Sequence, residues 1–136
     1  MYEVFEHTAD LGLRIRAGDL NSLFAEAARG LFSVIVANFQ QVRPDHEKSF
    51  TIGGTEPDLL LLDWLSKLLY TFETERLLLA QFDVQVNPAG LSATCRGEPA
   101  DLERHQMAHE VKSITYHELK VEQVGDGWLG EVIVDI

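Results

Sequence analysis

Two stretches of this chain repeat apolar residues at helical spacing, while its other apolar segments alternate apolar and polar positions, and that combination confines it to helices packed on sheet. The first helical stripe runs through Leu20, Leu23, Phe24, Ala27, Leu31 and Ile35, and Asp19 ahead of it can accept from the free amides of a first turn. The second runs through Leu61, Trp64, Leu65, Leu68, Leu69 and Phe72. Thr55, Pro57 and Asp58 precede it, and Thr and Asp three residues apart predict a capping box.

The alternating segments supply the strands. Residues 2–5 and 13–17 read as half-buried strands joined through His7, Thr8, Ala9 and Asp10. Residues 48–52 form a short strand ended by Gly53 and Gly54. Residues 81–86 and 91–95 flank the turn sequence Asn87-Pro88-Ala89-Gly90, which predicts a hairpin. A polar loop over 96–109 leads to residues 111–121, and Gly125-Asp126-Gly127 turns the chain into 128–136 as a second hairpin. The expected fold is one α+β domain over residues 1–136, two-layered, with a mostly antiparallel sheet and both main helices on one side.

Charge and composition narrow the function. A net charge of -11 repels a phosphate backbone and argues against tight, direct nucleic-acid binding, whereas it favours encounter with a basic protein. The single cysteine, Cys95, closes no internal disulfide and excludes a zinc ribbon, which suits a reducing compartment. Strand-like Tyr2-Glu3-Val4-Phe5 follows Met1 without the basic segment, apolar run and small-residue cleavage site of a signal peptide, so a cytoplasmic protein is expected. Residues 59–70, the most apolar stretch, are broken by Asp63 and Lys67 and are too short to span a bilayer.

The C-terminal segment is the most informative local feature. Alternation sets Val132, Val134 and Ile136 on one face and Leu129, Glu131, Ile133 and Asp135 on the other, so Asp135 lies next to the carboxylate of Ile136. Two neighbouring negative groups on an ordered strand repel, and a hard divalent cation with oxygen ligands relieves that repulsion; simple solvation is the plainer alternative. Asp10 can join the same ion if the first and last strands are neighbours, or serve as a turn residue. His7 offers a proton donor, a ligand or a structural hydrogen bond. His105 and His109 have the i, i+4 spacing of a zinc pair if their segment is helical. Lys112, Thr115 and His117 alternate near the last hairpin, where an exposed lysine can meet an acidic or phosphate group. No phosphate-cradling glycine loop, G-x-S-x-G elbow or Cys-His nucleophile pair is present.

Taken in order, Glu6-His7-Thr8-Ala9-Asp10, Asp63-Trp64-Leu65 with Leu68-Leu69-Tyr70, Arg96-Gly97-Glu98-Pro99, the run Val111-Lys112-Ser113-Ile114-Thr115-Tyr116-His117-Glu118-Leu119 and the final Asp135-Ile136 resemble the archease family over essentially the whole chain. The resemblance implies an accessory protein, not itself an enzyme, that helps an RtcB-type RNA ligase form its guanylylated intermediate and turn over repeatedly in tRNA exon joining or RNA repair. It implies a divalent metal, calcium or magnesium, held by Asp10, Asp135 and the carboxylate of Ile136. Lys112 matches a position needed for activating the ligase, and His7 joins it as a candidate for partner activation. Gln106-Met107-Ala108 departs from the family pattern. A small metal-dependent phosphoester hydrolase and an acidic chaperone-like module are the rival readings.

Overall fold

A computed structural model describes residues 1–7 and 9–136; Thr8, in the expected link between the first two strands, lies outside the described residues. In chain order the elements are β1 (Tyr2–His7), β2 (Asp10–Ala17), α1 (Leu20–Ile35), β3 (His46–Gly53), α2 (Pro57–Glu75), β4 (Leu77–Asn87), β5 (Gly90–Pro99), β6 (Ser113–Val124) and β7 (Gly127–Asp135). All strand pairings are antiparallel, and the α+β class read from periodicity holds. The strands divide between two sheets, one of order β1-β2-β7-β6 and one of order β3-β5-β4.

Both helices touch both sheets. Helix α1 packs on β1, β2 and β7 of the larger sheet and on β4 of the smaller, while α2 packs on β6 and on β3, β4 and β5. The two apolar stripes are therefore covered on more than one side: Leu23, Phe24, Ala27 and Leu31 of α1 and Leu61, Trp64, Leu65 and Leu68 of α2 are fully buried in one continuous core. The Trp64 indole donates to the carbonyl of Phe24 at 3.0 Å, which satisfies a buried polar atom and ties the helices together. Asn21 of α1 accepts from the amide of Val86 at 2.7 Å, covering part of the edge that β4 would otherwise leave open.

Local chemistry explains the helix starts. The Asp19 carboxylate accepts from the Ser22 amide at 2.7 Å and caps α1 as expected. The capping box expected for α2 does not form. The N-cap is Glu56 without a side-chain bond, Pro57 opens the helix with its fixed φ, and Asp58 accepts from the adjacent Leu59 amide instead. At its other end α2 stops at Arg76 in the left-handed region (φ 52°), and β4 begins at the next residue, so Leu77, Leu78 and Leu79 form a buried strand segment ahead of the expected 81–86. Among the described residues no helix is long and apolar enough to cross a membrane.

Candidate functional site

The larger sheet brings the first and last strands together. Strands β2 and β7 pair through Leu11 with Val134, Gly12 with Ile133 and Leu13 with Val132, and one further step of that register sets Asp10 across from Asp135. Leu13, Val132 and Val134 are wholly buried toward the helices, so alternation turns Asp10 and Asp135 to the opposite, outer face, where directly opposed Cβ atoms lie about 4.5–5.5 Å apart. Both aspartates are half-buried, and among the described residues neither is in an ion pair, nor is the carboxylate of Ile136. Ile136 packs its side chain on the core, which holds the last residue in position.

The same row of the sheet continues on both sides. His7 is the cross-strand partner of Asp10, and Ser113 that of Asp135. The Lys112 amide donates to the Asp135 carbonyl at 2.8 Å, fixing the backbone of an exposed lysine beside the aspartate. Below this row the Phe5 ring lies on Gly12 so closely that a Cβ there would meet its Cζ at 2.2 Å, and the Arg14 guanidinium covers that ring at 4.6 Å. This stack clamps β1 onto β2 and holds His7 level with Asp10.

Strand β6 is interrupted where it passes the site. Its register against β7 jumps from Thr115–Ile133 to Lys120–Glu131, so residues 116–119 oppose Val132 alone and leave the ladder. Glu118 within this bulge takes a left-handed conformation at φ 57°. The excursion carries His117 and Glu118 to His7, although β6 and β1 are opposite edges of the sheet. The Nε2 of His7 lies 3.2 Å from Glu118 Oε2, the Nε2 of His117 lies 3.7 Å from Glu118 Oε1, and the two imidazoles meet edge-on at 5.7 Å between centroids. His7 Nδ1 is buried and has no hydrogen-bond partner among the described residues. Sequence patterning singled out His7 and His117 separately and did not include Glu118, because a bulge without glycine or proline leaves no local signature.

The zinc pair considered for His105 and His109 is not formed. Residues 100–112 contain no helix, His105 is buried and His109 is exposed. The two ring nitrogens of His105 are already used: Nδ1 accepts from the Asp101 amide at 2.8 Å, so Nε2 carries the proton toward Glu98 Oε2 at 3.1 Å. Glu98, 6% exposed, also accepts from Arg104 and from the Arg43 amide at 2.7 Å. The Arg104 hydrogen bonds hold its carboxyl down at about 2 against the opposing effect of burial, with the Arg43 amide and His105 adding to them. The network is structural; it straps the long loop onto β5.

The protein matches the archease protein family (MTH1598/TM1083) over residues 2–136. It is 35% identical to the archease of Pyrococcus abyssi over 140 residues, covering 99% of this chain and 98% of the relative, and 35% identical to that of Methanopyrus kandleri over 139 residues, covering 99% of each. The solution structure of Methanobacterium thermoautotrophicum protein 1598 superposes with a TM-score of 0.87 at 31% identity, covering 99% of this chain and 98% of that one. A crystal structure from Thermotoga maritima, described as an archease and possible chaperone, shares the fold with a TM-score of 0.68 at 23% identity, covering 100% of this chain and 98% of that one. By sequence along its whole length and by fold, this chain belongs to the archease family.

Proposed function

We propose that this protein activates an RtcB-type RNA ligase, promoting ligase guanylylation and repeated turnover in tRNA exon joining or RNA repair, with the row of carboxylates on the outer face of the larger sheet as its working surface. The observation that most supports this reading is the β2–β7 register, which sets Asp10 opposite Asp135 and brings the end of the chain to both. Asp10, Asp135 and the Ile136 carboxylate form an all-oxygen donor set, unspent on any ion pair among the described residues and partly withdrawn from water, which fits calcium or magnesium. A bound cation would neutralise this concentration of negative charge.

The protein residues do the rest. The anchored Ile136 side chain and the β2–β7 ladder hold the carboxylates at fixed positions. Lys112, tied by its amide to Asp135, offers an ammonium to a donor-seeking group of the partner at the border of the site. His7, cross-strand neighbour of Asp10, borders it on the other side. The net charge of -11 draws in the basic surface of a protein that handles RNA while disfavouring RNA itself. Activation then requires only that this surface bind the guanylylation-competent state of the ligase more tightly than the other state.

The test combines purified ligase, GTP, divalent metal and broken RNA with and without this protein. Faster guanylylation and repeated joining are expected on addition, and Asp135→Ala is expected to remove the effect. Equal rates in all three mixtures would refute the proposal, and release of phosphate from a phosphoester by this protein alone would favour a hydrolase instead.

A further inference from the structure

We propose that His7, His117 and Glu118 form a second metal site, one for a zinc-type transition ion, chemically distinct from the carboxylate row beside it. One ligand atom from each of the three residues lies within 4.8 Å of the others, a convergence assembled from opposite edges of the sheet by the bulge at residues 116–119.

The donor set decides the class of ion. Two imidazoles and one carboxylate are borderline ligands that suit zinc and its neighbours, whereas the all-oxygen set of Asp10, Asp135 and Ile136 suits hard ions. The spacing agrees. Ligands bound at about 2.0–2.1 Å around a tetrahedral ion are about 3.3 Å from one another. His7 Nε2 lies 3.2 Å from Glu118 Oε2 and His117 Nε2 lies 3.7 Å from Oε1, so the two imidazoles flank the carboxylate at close to that distance, each against its own oxygen, and one ligand atom from each residue falls within 4.8 Å of the others. Three protein ligands leave a fourth position for water or for a donor from a partner.

An ordinary ion pair explains less. It accounts for His7 against one oxygen of Glu118, yet the second imidazole addresses the other oxygen of the same carboxylate. Nor is His7 a satisfied structural histidine, since its buried Nδ1 has no partner among the described residues. His117 and Glu118 have 67% and 60% of their side-chain surface exposed, so an ion reaches them without any opening of the fold, and the acidic surface concentrates cations around it.

Cobalt(II) reports on such a site because its visible absorption intensifies in tetrahedral coordination. The chelator-treated protein is titrated with cobalt(II), then with zinc(II) or with excess calcium(II). An intense visible band is expected, abolished by one equivalent of zinc and retained in calcium. His117→Ala and Glu118→Gln are each expected to weaken cobalt binding at least about tenfold. Asp135→Asn should leave it within about twofold, because the two sites share no ligand. Circular dichroism verifies that each variant is folded, and both His117 and Glu118 are exposed enough to be replaced without disturbing the core. An absorption no stronger than that of the hydrated ion would overturn the proposal. Equal losses in Asp135→Asn and His117→Ala would also overturn it, by showing one site built on the carboxylates. Either result leaves the ligase assay above free to succeed or fail on its own.

Discussion

The main-chain amide of Lys112 donates to the main-chain oxygen of Asp135 at 2.8 Å, so the lysine and the aspartate implicated by family resemblance are held together by backbone alone. Replacing the lysine side chain leaves that bond intact. Lys112→Ala is therefore expected to change unfolding free energy by no more than about 0.5 kcal/mol, as for other exposed positions. Stimulation of the ligase is expected to drop severalfold in the same variant. Denaturant titration beside the ligase assay separates the two, and a large loss of stability would reassign Lys112 to a structural role.

Asp10→Asn should reverse its effect on stability with the cation supply. Without divalent metal, removing one of two opposed carboxylates relieves repulsion, and the variant is expected to melt at or above the wild-type temperature. If the carboxylates bind calcium as proposed, the wild type at about 100 times the dissociation constant is expected to gain about 2.7 kcal/mol from binding to the folded state, and Asp10→Asn is expected to lose that gain in large part. Thermal melts with chelator and with calcium measure both arms. Identical calcium shifts in the two proteins would remove Asp10 from the site.

Much of this arrangement was legible in the chain, for reasons that show where legibility stops. Helix α1 was readable because Asp19 and the stripe from Leu20 to Ile35 are local signals that agree. The outward turn of Asp135 followed from alternation, and its neighbour Asp10 required only that the end strands pair. Residues 96–99 read as loop because Arg96-Gly97-Glu98-Pro99 is polar and carries glycine and proline, whereas the structure continues β5 through them with Gly97 and Glu98 both buried; the acceptor role of Glu98 depends on Arg43, Arg104 and His105, which lie elsewhere in the chain. Tyr116-His117-Glu118-Leu119 reads as strand, and only the pairing with β7 reveals the bulge that brings His117 and Glu118 to His7. Candidate residues placed by one strand or one strand pair could be read from the sequence, and those gathered by a long-range irregularity could not.

The Glu98 network predicts an acid limb to stability. Its carboxyl titrates at about 2 in the folded protein against an ordinary 4.5, with the Arg104 hydrogen bonds as the main cause. Because folding lowers this pKa, the contribution is complete above about pH 4.5, declines as the pH falls from 4.5 toward 2, and is gone below that. Glu98→Ala, which leaves the Arg43 amide and His105 without their acceptor, should cost about 3 kcal/mol at neutral pH. Urea titrations of both proteins across this range should show the gap between them narrowing as acid is added. A gap independent of pH would mean that the carboxylate charge contributes nothing.

Gly97 provides the sharpest steric prediction. It sits in β5, the central strand of the smaller sheet, level with the point where the register of β4 slips between Leu79 and Gln81. A Cβ built there would lie 1.8 Å from the Leu78 carbonyl oxygen and 2.7 Å from the Leu79 Cα. These are backbone atoms of a paired strand and have no rotamer with which to yield. Gly97→Ala must therefore spread β4 from β5, for about 3 kcal/mol, more than offsetting the small gain from a stiffer unfolded chain. Gly18→Ala is the matched control, since a Cβ at Gly18 meets nothing within 4 Å, and its effect is expected within about 0.5 kcal/mol. Chemical denaturation of the two variants makes the comparison, and equal stabilities would show that β4 and β5 do not approach as closely at Gly97 as described.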